Sequence, residues 1–282
     1  MTSLSRAADL PQTDANLAAK VARTQGLLLV EEARRLTPEQ WGTITECPRW
    51  TVFDMVAHVT AATQNAANPL RWIRDGVVGK LQHPHDAFLD AANEVGIDHR
   101  RGHPVSGLLA DLARWIDVPK SPKILRRVPV PVGGLPRYGD VGYLVDVILA
   151  RDTWLHRHDI ARATNSTTTP DPTSAEVVAP VVRDLALAWH GPGIVLTLTG
   201  AEGGTWLIGT DRDAFTASLP AVEFLRHLSG RHVRQEVWGC GSRRGACIPR
   251  IGPCDVLIAG DERNARSDLV RPSAVRTPAC AR

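Results

Sequence analysis

Apolar side chains recur at helical spacing through the first 165 residues of the chain. Segments 14–35, 51–72, 105–115 and 140–163 each place apolar residues three or four positions apart, with polar residues between them. Helices with this pattern bury one face against their neighbours. The pattern therefore predicts a mainly α protein in which residues 1–164 form a four-helix bundle.

Short signals mark where two of these helices begin. Thr37 precedes Pro38, which suits the first position of a helix because proline lacks the amide hydrogen that would be unpaired there. Thr51 stands three residues before Asp54, so the two residues can exchange side-chain and backbone hydrogen bonds at a helix start. Residues 83–101 show no clear period, and residues 129–136, rich in proline and glycine, predict a rigid loop.

The composition changes after the bundle. Residues 165–174, NSTTTPDPTS, have the composition of a linker. Thr173 and Glu176 then predict a second capping box at the start of an apolar helix. Two strand-like segments, 194–199 and 205–209, and a short helix at 221–228 complete a small α/β domain, residues 175–235.

The last part of the chain, residues 236–282, holds neither a helical nor a strand period and predicts an irregular tail. Cys240, Cys247 and Cys254 lie seven residues apart within it. Structural zinc sites use shorter spacings and usually a C-x-x-C pair, which is absent here. We therefore interpret these cysteines as part of the tail and not as a metal site.

Composition and charge narrow the class of protein. The net charge of +3, without a basic helix stripe or an aromatic platform, argues against a nucleic-acid partner. No apolar run approaches the ~18 residues of a membrane span, and no early run has signal-peptide length. Five cysteines, an odd number, fit a reducing cytoplasm better than a disulfide framework. The sequence leaves a monomer and a dimer both open.

The segment RDTWLHRHDI, residues 151–160, makes the last bundle helix polar on an unexpected face. At 100° per residue, Asp152, His156 and Asp159 continue the apolar stripe that passes through Val145. These three polar side chains are therefore directed toward the core.

The helix that begins at Thr51 repeats this anomaly, because His58 shares a stripe with Ala62. A buried charged group must be paired or bound to a metal ion, since its lost hydration otherwise costs several kcal/mol. Asp152 and His156, one turn apart, and His58 from a facing helix can form a three-ligand metal site with an open position. The alternative is a buried histidine–aspartate cluster that only fixes helix packing, and the residues alone leave both open.

Two segments resemble the signature regions of the mycothiol-dependent maleylpyruvate isomerase family. They are LTPEQWGTITECPRWTVFDMVAHV and RDTWLHRHDIARAT, and the similarity in layout extends over about residues 12–232. The resemblance implies a DinB-like, metal-binding four-helix bundle followed by a small domain related to sterol-carrier folds. It also implies a divalent metal ion, zinc above all, held by His58, Asp152 and His156. Asp159, which the helical period places on the same face, is expected to orient a ligand histidine. The isomerase has Glu where this chain has Asp152, one methylene shorter.

The same resemblance implies mycothiol as the thiol cosubstrate of an isomerase or S-transferase that acts on a small electrophilic or unsaturated acid. Leu228-Ser229-Gly230-Arg231 is similar to the closing motif of the family, so Arg231 is a candidate contact to a substrate carboxylate, with a surface cation as the alternative. Two other classes stay open. One is a non-catalytic protein that binds metal and a small molecule, and the other is a purely structural bundle.

Overall fold

The structure, a computed structural model, describes residues 4–120, 123–131, 138–210, 214–231 and 239–240. Within these ranges the chain is mainly helical, as the sequence predicts, and none of the described helices is long and apolar enough to cross a membrane. The helices are α1 (Ala15–Ala33), α2 (Pro38–Trp41), α3 (Val52–Ala67), α4 (Pro69–Gln82), α5 (Phe88–Asp98), α6 (Val105–Ile116), α7 (Val141–Tyr143), α8 (Leu149–Ala163), α9 (Ser174–Ala188) and α10 (Ala221–Leu228). The strands are β1 (Pro129–Pro131), β2 (Tyr138–Asp140), β3 (Ile194–Thr199), β4 (Gly204–Ile208), β5 (Phe215–Pro220) and β6 (Gly239–Cys240).

The predicted starts of α2 and α3 are confirmed. Thr37 and Gln40 form a capping box with Pro38 inside the first turn of α2. At α3, the Thr51 hydroxyl accepts from the Asp54 amide at 3.2 Å, while the Asp54 carboxylate accepts from the Thr51 amide at 3.0 Å. Because this box fixes the first turn of α3, it also fixes the direction in which later residues of the helix leave it.

Two segments between residues 51 and 101 differ from the prediction. The helix from Thr51 ends at Ala67 instead of continuing to residue 72, because Asn68 leaves the helical conformation (φ −132°, ψ 84°) before Pro69. Asn68 accepts from the Arg71 amide and so caps α4. The unassigned region 83–101 contains α5, which packs against α4.

The helical segment that follows Asp140 changes from α-helical to π-helical geometry over one turn. Asp140 caps α7, and a π-helical turn, Leu144–Ile148, joins α7 to α8. In this turn the Leu149 amide donates to the Leu144 carbonyl, five residues back. Such turns are frequent beside functional sites, and this one ends one turn before Asp152.

Four helices pack in a closed ring, α1 to α6, α6 to α3, α3 to α8 and α8 to α1. They enclose an apolar core that includes Leu29, Met55, Leu112 and Ile160. Helices α4 and α5 pack on each other and on α3, outside the ring. Assignment of this arrangement to the DinB-like type stays a prediction.

The second part of the described chain contains a four-stranded sheet in the order β4-β3-β5-β6. The hairpin of β3 and β4 is predicted by the sequence, whereas β5, parallel to β3, is not. The capping box expected at Thr173 is wrong, because its hydroxyl donates to Asp171 and no side chain caps α9. Of the predicted tail, Gly239 and Cys240 pair with β5 instead of being irregular, and the remainder, with Cys247 and Cys254, lies outside the described residues. Of the predicted loop, residues 129–131 form β1, which pairs with β2, and residues 132–136 lie outside the described residues.

Helix α8 takes part in two cores. Its Ile160 belongs to the core of the ring, whereas Trp154 and Leu155 join the core formed by α9, α10 and the sheet. The apolar interior therefore continues from one part of the chain into the other. Domain boundaries at residues 164 and 174 stay a prediction.

A fully buried arginine fastens the predicted linker, residues 165–174, to the ring. Arg157 donates to both carboxylate oxygens of Glu32 on α1, at 2.9 and 2.7 Å, and to Gln25 at 2.7 Å. It also donates to the carboxylate of Asp171 at 3.3 Å and to the carbonyl of Thr169 at 3.1 Å. One guanidinium group thus joins α1, α8 and the linker.

Replacing Arg157 with leucine should lower the free energy of unfolding by about 3–5 kcal/mol, because the carboxylates of Glu32 and Asp171 lose their buried partner. The matched control is Arg162→Leu on the same helix. Its side chain is 51% exposed and, among the described residues, forms ion pairs with Glu46 and Glu223, which are 31% and 18% exposed, so we expect a loss of at most about 1 kcal/mol. Urea unfolding of the two variants measures the difference, and equal losses would contradict a special role for Arg157.

Candidate metal centre

The three predicted ligand residues converge in the interior. His58 lies on α3, and Asp152 and His156 lie one turn apart on α8; all three are buried. Their candidate ligand atoms all lie within 4.8 Å of one another. The Asp152 carboxylate stands between the two rings, with Oδ2 at 2.9 Å from His58 Nε2 and Oδ1 at 3.0 Å from His156 Nε2.

The ring of His58 is held by a neighbouring aromatic side chain. Trp50, immediately before the capping residue of α3, stacks on it with ring centroids 4.8 Å apart and an interplanar angle of 28°. The Trp50 indole N–H donates to Glu94 at 3.2 Å, which fixes the stacking ring in turn. This contact between Trp50 and His58 is not predicted from the sequence.

A second layer of charge supports His156 from behind. Nδ1 of His156 lies 3.2 Å from Asp159 Oδ2, the relation that the sequence predicted. Asp159 is fully buried, and its carboxylate accepts from Arg226 Nη1 at 3.1 Å and from Arg231 Nε at 2.8 Å. Arg226 also binds Glu46, which ties α10 to the loop before α3.

These contacts change the interpretation of Arg231. The surface position considered from the sequence is wrong, because Arg231 is only 5% exposed. Its Nε and Nη2 both bind Asp159, which favours a supporting role behind His156 over contact with a substrate carboxylate. Arg226 was missed altogether, because an arginine in a short amphipathic helix is ordinarily solvated and gives no signal of burial.

The charges around the site shift several pKa values. Burial tends to raise the pKa of Asp152, but the charges of His156 and His58 outweigh it and hold the pKa well below its usual range. Burial tends to lower the pKa of His156, yet the opposing charge of Asp152 raises it to about 9. For Asp159, the charge of Arg231 likewise outweighs burial and lowers the pKa.

Three buried polar atoms of this cluster have no hydrogen-bond partner among the described residues: His58 Nδ1, His156 Nε2 and Asp152 Oδ1. The last two face each other at 3.0 Å without the alignment of a hydrogen bond. Unpaired buried groups are costly, and His156 Nε2 and Asp152 Oδ1, together with His58 Nε2 at 2.9 Å from Asp152 Oδ2, are a donor set that suits a divalent metal ion. The residues present therefore fit the metal that the sequence predicts.

The cluster borders an apolar cavity of about 450 Å³. His58 and Asp152 reach its surface, and Asn65 and Asn93 are the other polar residues along it. Its remaining lining residues are Ala62, Ala66, Pro69, Trp72, Ile73, Ala87, Phe88, Leu89, Leu125, Val128, Val130, Val141, Leu144, Val145, Ile148 and Leu149. Among these described lining residues there is no cysteine, serine or lysine, so the wall supplies no side-chain nucleophile of those types.

Comparison with known proteins gives a consistent family. Residues 21–161, half of the chain, match the family model described as the mycothiol maleylpyruvate isomerase N-terminal domain. This segment contains His58, Asp152, His156 and Asp159. Crystal structures of the mycothiol-dependent maleylpyruvate isomerase and of a mutant of it are similar at 15% and 16% identity, each with a TM-score of 0.49, covering 89% of this chain and 100% of theirs. No curated protein matches the chain.

In protein stripped of metal by a chelator, we expect His156 to titrate near pH 9 and His158 near pH 4. Both rings lie on α8, but His158 lies outside the cluster against Trp154, where burial and the charge of Arg157 lower its pKa. The raised pKa of His156 stabilises the fold fully below its ordinary value of 6.5, and this contribution is lost as pH rises through about 9. Histidine NMR spectra across this range measure both values.

Asp159→Asn is the control for this titration, because it removes one of the two carboxylates that favour the charged form of His156. The variant should lower the pKa of His156, and the pKa of His158 should still be the lower of the two. A wild-type value for His156 at or below 6.5 would contradict the electrostatic account.

Proposed function

Because the chain belongs to the mycothiol maleylpyruvate isomerase family, we propose that it is a metal-dependent enzyme that uses mycothiol to act on a small electrophilic or unsaturated compound. The reaction is addition of the thiol sulfur across an activated double bond, reversed in an isomerase or retained in an S-transferase. The observation that carries the proposal is the convergence of His58, Asp152 and His156 in a cluster that borders a cavity.

The proposed metal ion is zinc, held by Nε2 of the two histidines and the carboxylate of Asp152. Three protein ligands leave a coordination position open for another molecule, as in catalytic zinc sites. When bound by these residues, such a metal ion would supply Lewis-acid chemistry that lowers the pKa of an added thiol.

The second layer sets the protonation state of one proposed ligand. In the proposed site, His156 Nδ1–H donates a hydrogen bond to Asp159, and this tautomer leaves the lone pair of Nε2 directed at the centre. Arg226 and Arg231 keep Asp159 ionised and in place. The role of the arginines is therefore to position a ligand, with no contact to the reacting compound.

The cavity supports an added thiol as the nucleophile. Its described wall contains no cysteine, serine or lysine, and Cys47 packs against the core of the ring instead. The same wall is compatible with a non-catalytic protein that binds metal and a small molecule, and turnover of an electrophile that depends on mycothiol separates the two functions.

His58→Ala and His156→Ala should each abolish zinc binding and thiol-dependent turnover, because either change leaves a two-ligand site. Asp152→Asn should weaken zinc retention by removing the anionic ligand, and Asp152→Glu should be tolerated best because it keeps the charge. Metal analysis after gel filtration and turnover with mycothiol are measured together on the same preparations.

His158→Ala is the matched control, since His158 lies on α8 against Trp154 and outside the cluster. It should keep both zinc and activity. A structural bundle predicts instead that no variant changes metal content and that all act on stability alone. Wild-type protein that binds no divalent metal at micromolar concentration would sink the enzymatic proposal.

A further inference from the structure

The two histidines of the candidate centre are held by different kinds of contact. His156 has a buried carboxylate, that of Asp159, 3.2 Å from its Nδ1. The Nδ1 atom of His58 is also buried but has no hydrogen-bond partner among the described residues. A metal-binding histidine usually donates from its second ring nitrogen, and this bond holds the ring in one orientation. The ring of His58 is instead held by an aromatic contact.

That contact is made by the indole ring of Trp50. It stacks on His58 with ring centroids 4.8 Å apart and an interplanar angle of 28°, and it meets His156 edge to face at 6.1 Å. Trp50 is only 4% exposed, so both contacts lie in the interior. Aromatic rings attract each other in these two geometries. A stacked indole keeps the His58 ring in one plane, and this plane contains the lone pair of Nε2.

Trp50 is itself held at both its backbone and its side chain. Its carbonyl accepts hydrogen bonds from the amide and the hydroxyl of Thr45, at 3.0 and 2.9 Å, and its amide donates to the carbonyl of Cys47 at 2.8 Å. These bonds fix the backbone but leave the side chain free to rotate. The indole N–H then donates to Glu94 at 3.2 Å, and Glu94 also pairs with Arg49 at 3.0 Å. Glu94 therefore selects the rotamer in which the indole covers His58.

Glu94 comes from a helix that supplies none of the three proposed ligands. It lies on α5, outside the ring, and it is 8% exposed. The same helix lines the cavity through Leu89 and Asn93. Helices α3 and α8 bring the proposed ligands together, while α5 holds the indole that orients one of them.

We propose that Trp50, held by Glu94, is a positioning residue of the centre. It orients the His58 ring so that Nε2 is directed at the metal ion, and it thereby sets the affinity and the coordination geometry of the site. The inference rests on the proposed function, since it concerns the same centre. It adds an aromatic contact and a residue of α5 to the features on which metal binding depends.

Trp50→Leu tests the contact between the two rings, because it keeps an apolar side chain and removes the stacking. We expect the zinc Kd, measured by competition with a chromophoric chelator, to rise by ~10-fold or more, the usual effect of losing a residue that orients a metal ligand. With Co²⁺ in place of zinc, the visible absorption spectrum, which reports coordination geometry, should also change. Trp50→Phe keeps a ring and should change both quantities less.

Two variants of Glu94 separate its hydrogen bond from its charge. Glu94→Leu removes the acceptor for the indole N–H, so the zinc Kd should rise and the cobalt spectrum should change in the same direction as in Trp50→Leu. Glu94→Gln removes the charge but keeps an acceptor oxygen, so it should retain the affinity and the spectrum of the wild type. Equal effects of the two variants would show that the charge acts on the metal directly and would overturn the role assigned to Glu94.

Trp41→Leu is the matched control for a general loss of packing. Trp41 is 6% exposed and lies in the same core as Trp50, but its described ring contact is with Phe53 and with neither histidine. The variant should lose stability, as Trp50→Leu does, without a change in zinc Kd or in the cobalt spectrum. An equal rise of the zinc Kd in the two variants would overturn the inference.

A measurement without metal separates this inference from the proposed function. In metal-free protein at one fixed pH, the indole ring current should displace the NMR signals of the His58 ring protons upfield. Glu94→Leu should reduce this displacement, and Trp41→Leu should not. This result in a protein that binds no zinc upholds the positioning of His58 and counts against the proposed function. Zinc bound equally tightly by the wild type and Trp50→Leu overturns the inference and leaves the proposed function standing.

Discussion

The Asp152 carboxylate, buried between His58 and His156, is the charge that the surrounding structure must compensate. Burial alone disfavours the ionised form, and the two rings reverse this effect. His156 in turn requires a partner, because its Nδ1 is paired with the buried carboxylate of Asp159. That carboxylate is compensated by Arg226 and Arg231. A single charge in the core thus requires partners from α3, α8 and α10, and also Arg231, which follows α10.

This chain of charges joins the two halves of the molecule. Arg226 belongs to the short helix after the sheet, yet it binds Asp159 on the ring helix α8 and Glu46 in the loop before α3. The apolar residues of α8 follow the same division, since Trp154 packs with the sheet and Ile160 with the ring. Among the described residues, the C-terminal part therefore contacts the candidate centre through Asp159, behind His156, and none of its residues lines the cavity.

Helices α4 and α5, which lie outside the ring, form part of the cavity wall. Helices α4 and α5 pack against α3 and supply Trp72 and Phe88, while small residues of α3 such as Ala62 leave space in front of His58. The π-helical turn before α8 brings Leu144, Val145 and Ile148 to the opposite wall. In the proposed enzyme, the polar centre and the apolar wall assign chemistry and binding to different residues.

The sequence by itself determined what local periodicity and capping can encode. Thr51 and Asp54 specified the start of α3, and the helical period placed Asp152, His156 and Asp159 on one inward face, because both depend on residues within a few turns. Only the tertiary structure decided which distant residues meet that face. Arg226 and Arg231 lie 67 and 72 positions from Asp159. Trp50 lies in a loop, where no helical or strand period predicts its contact with His58. Periodicity shows that a face is buried, but the partner of a buried face is selected by packing among helices, which a single sequence does not display.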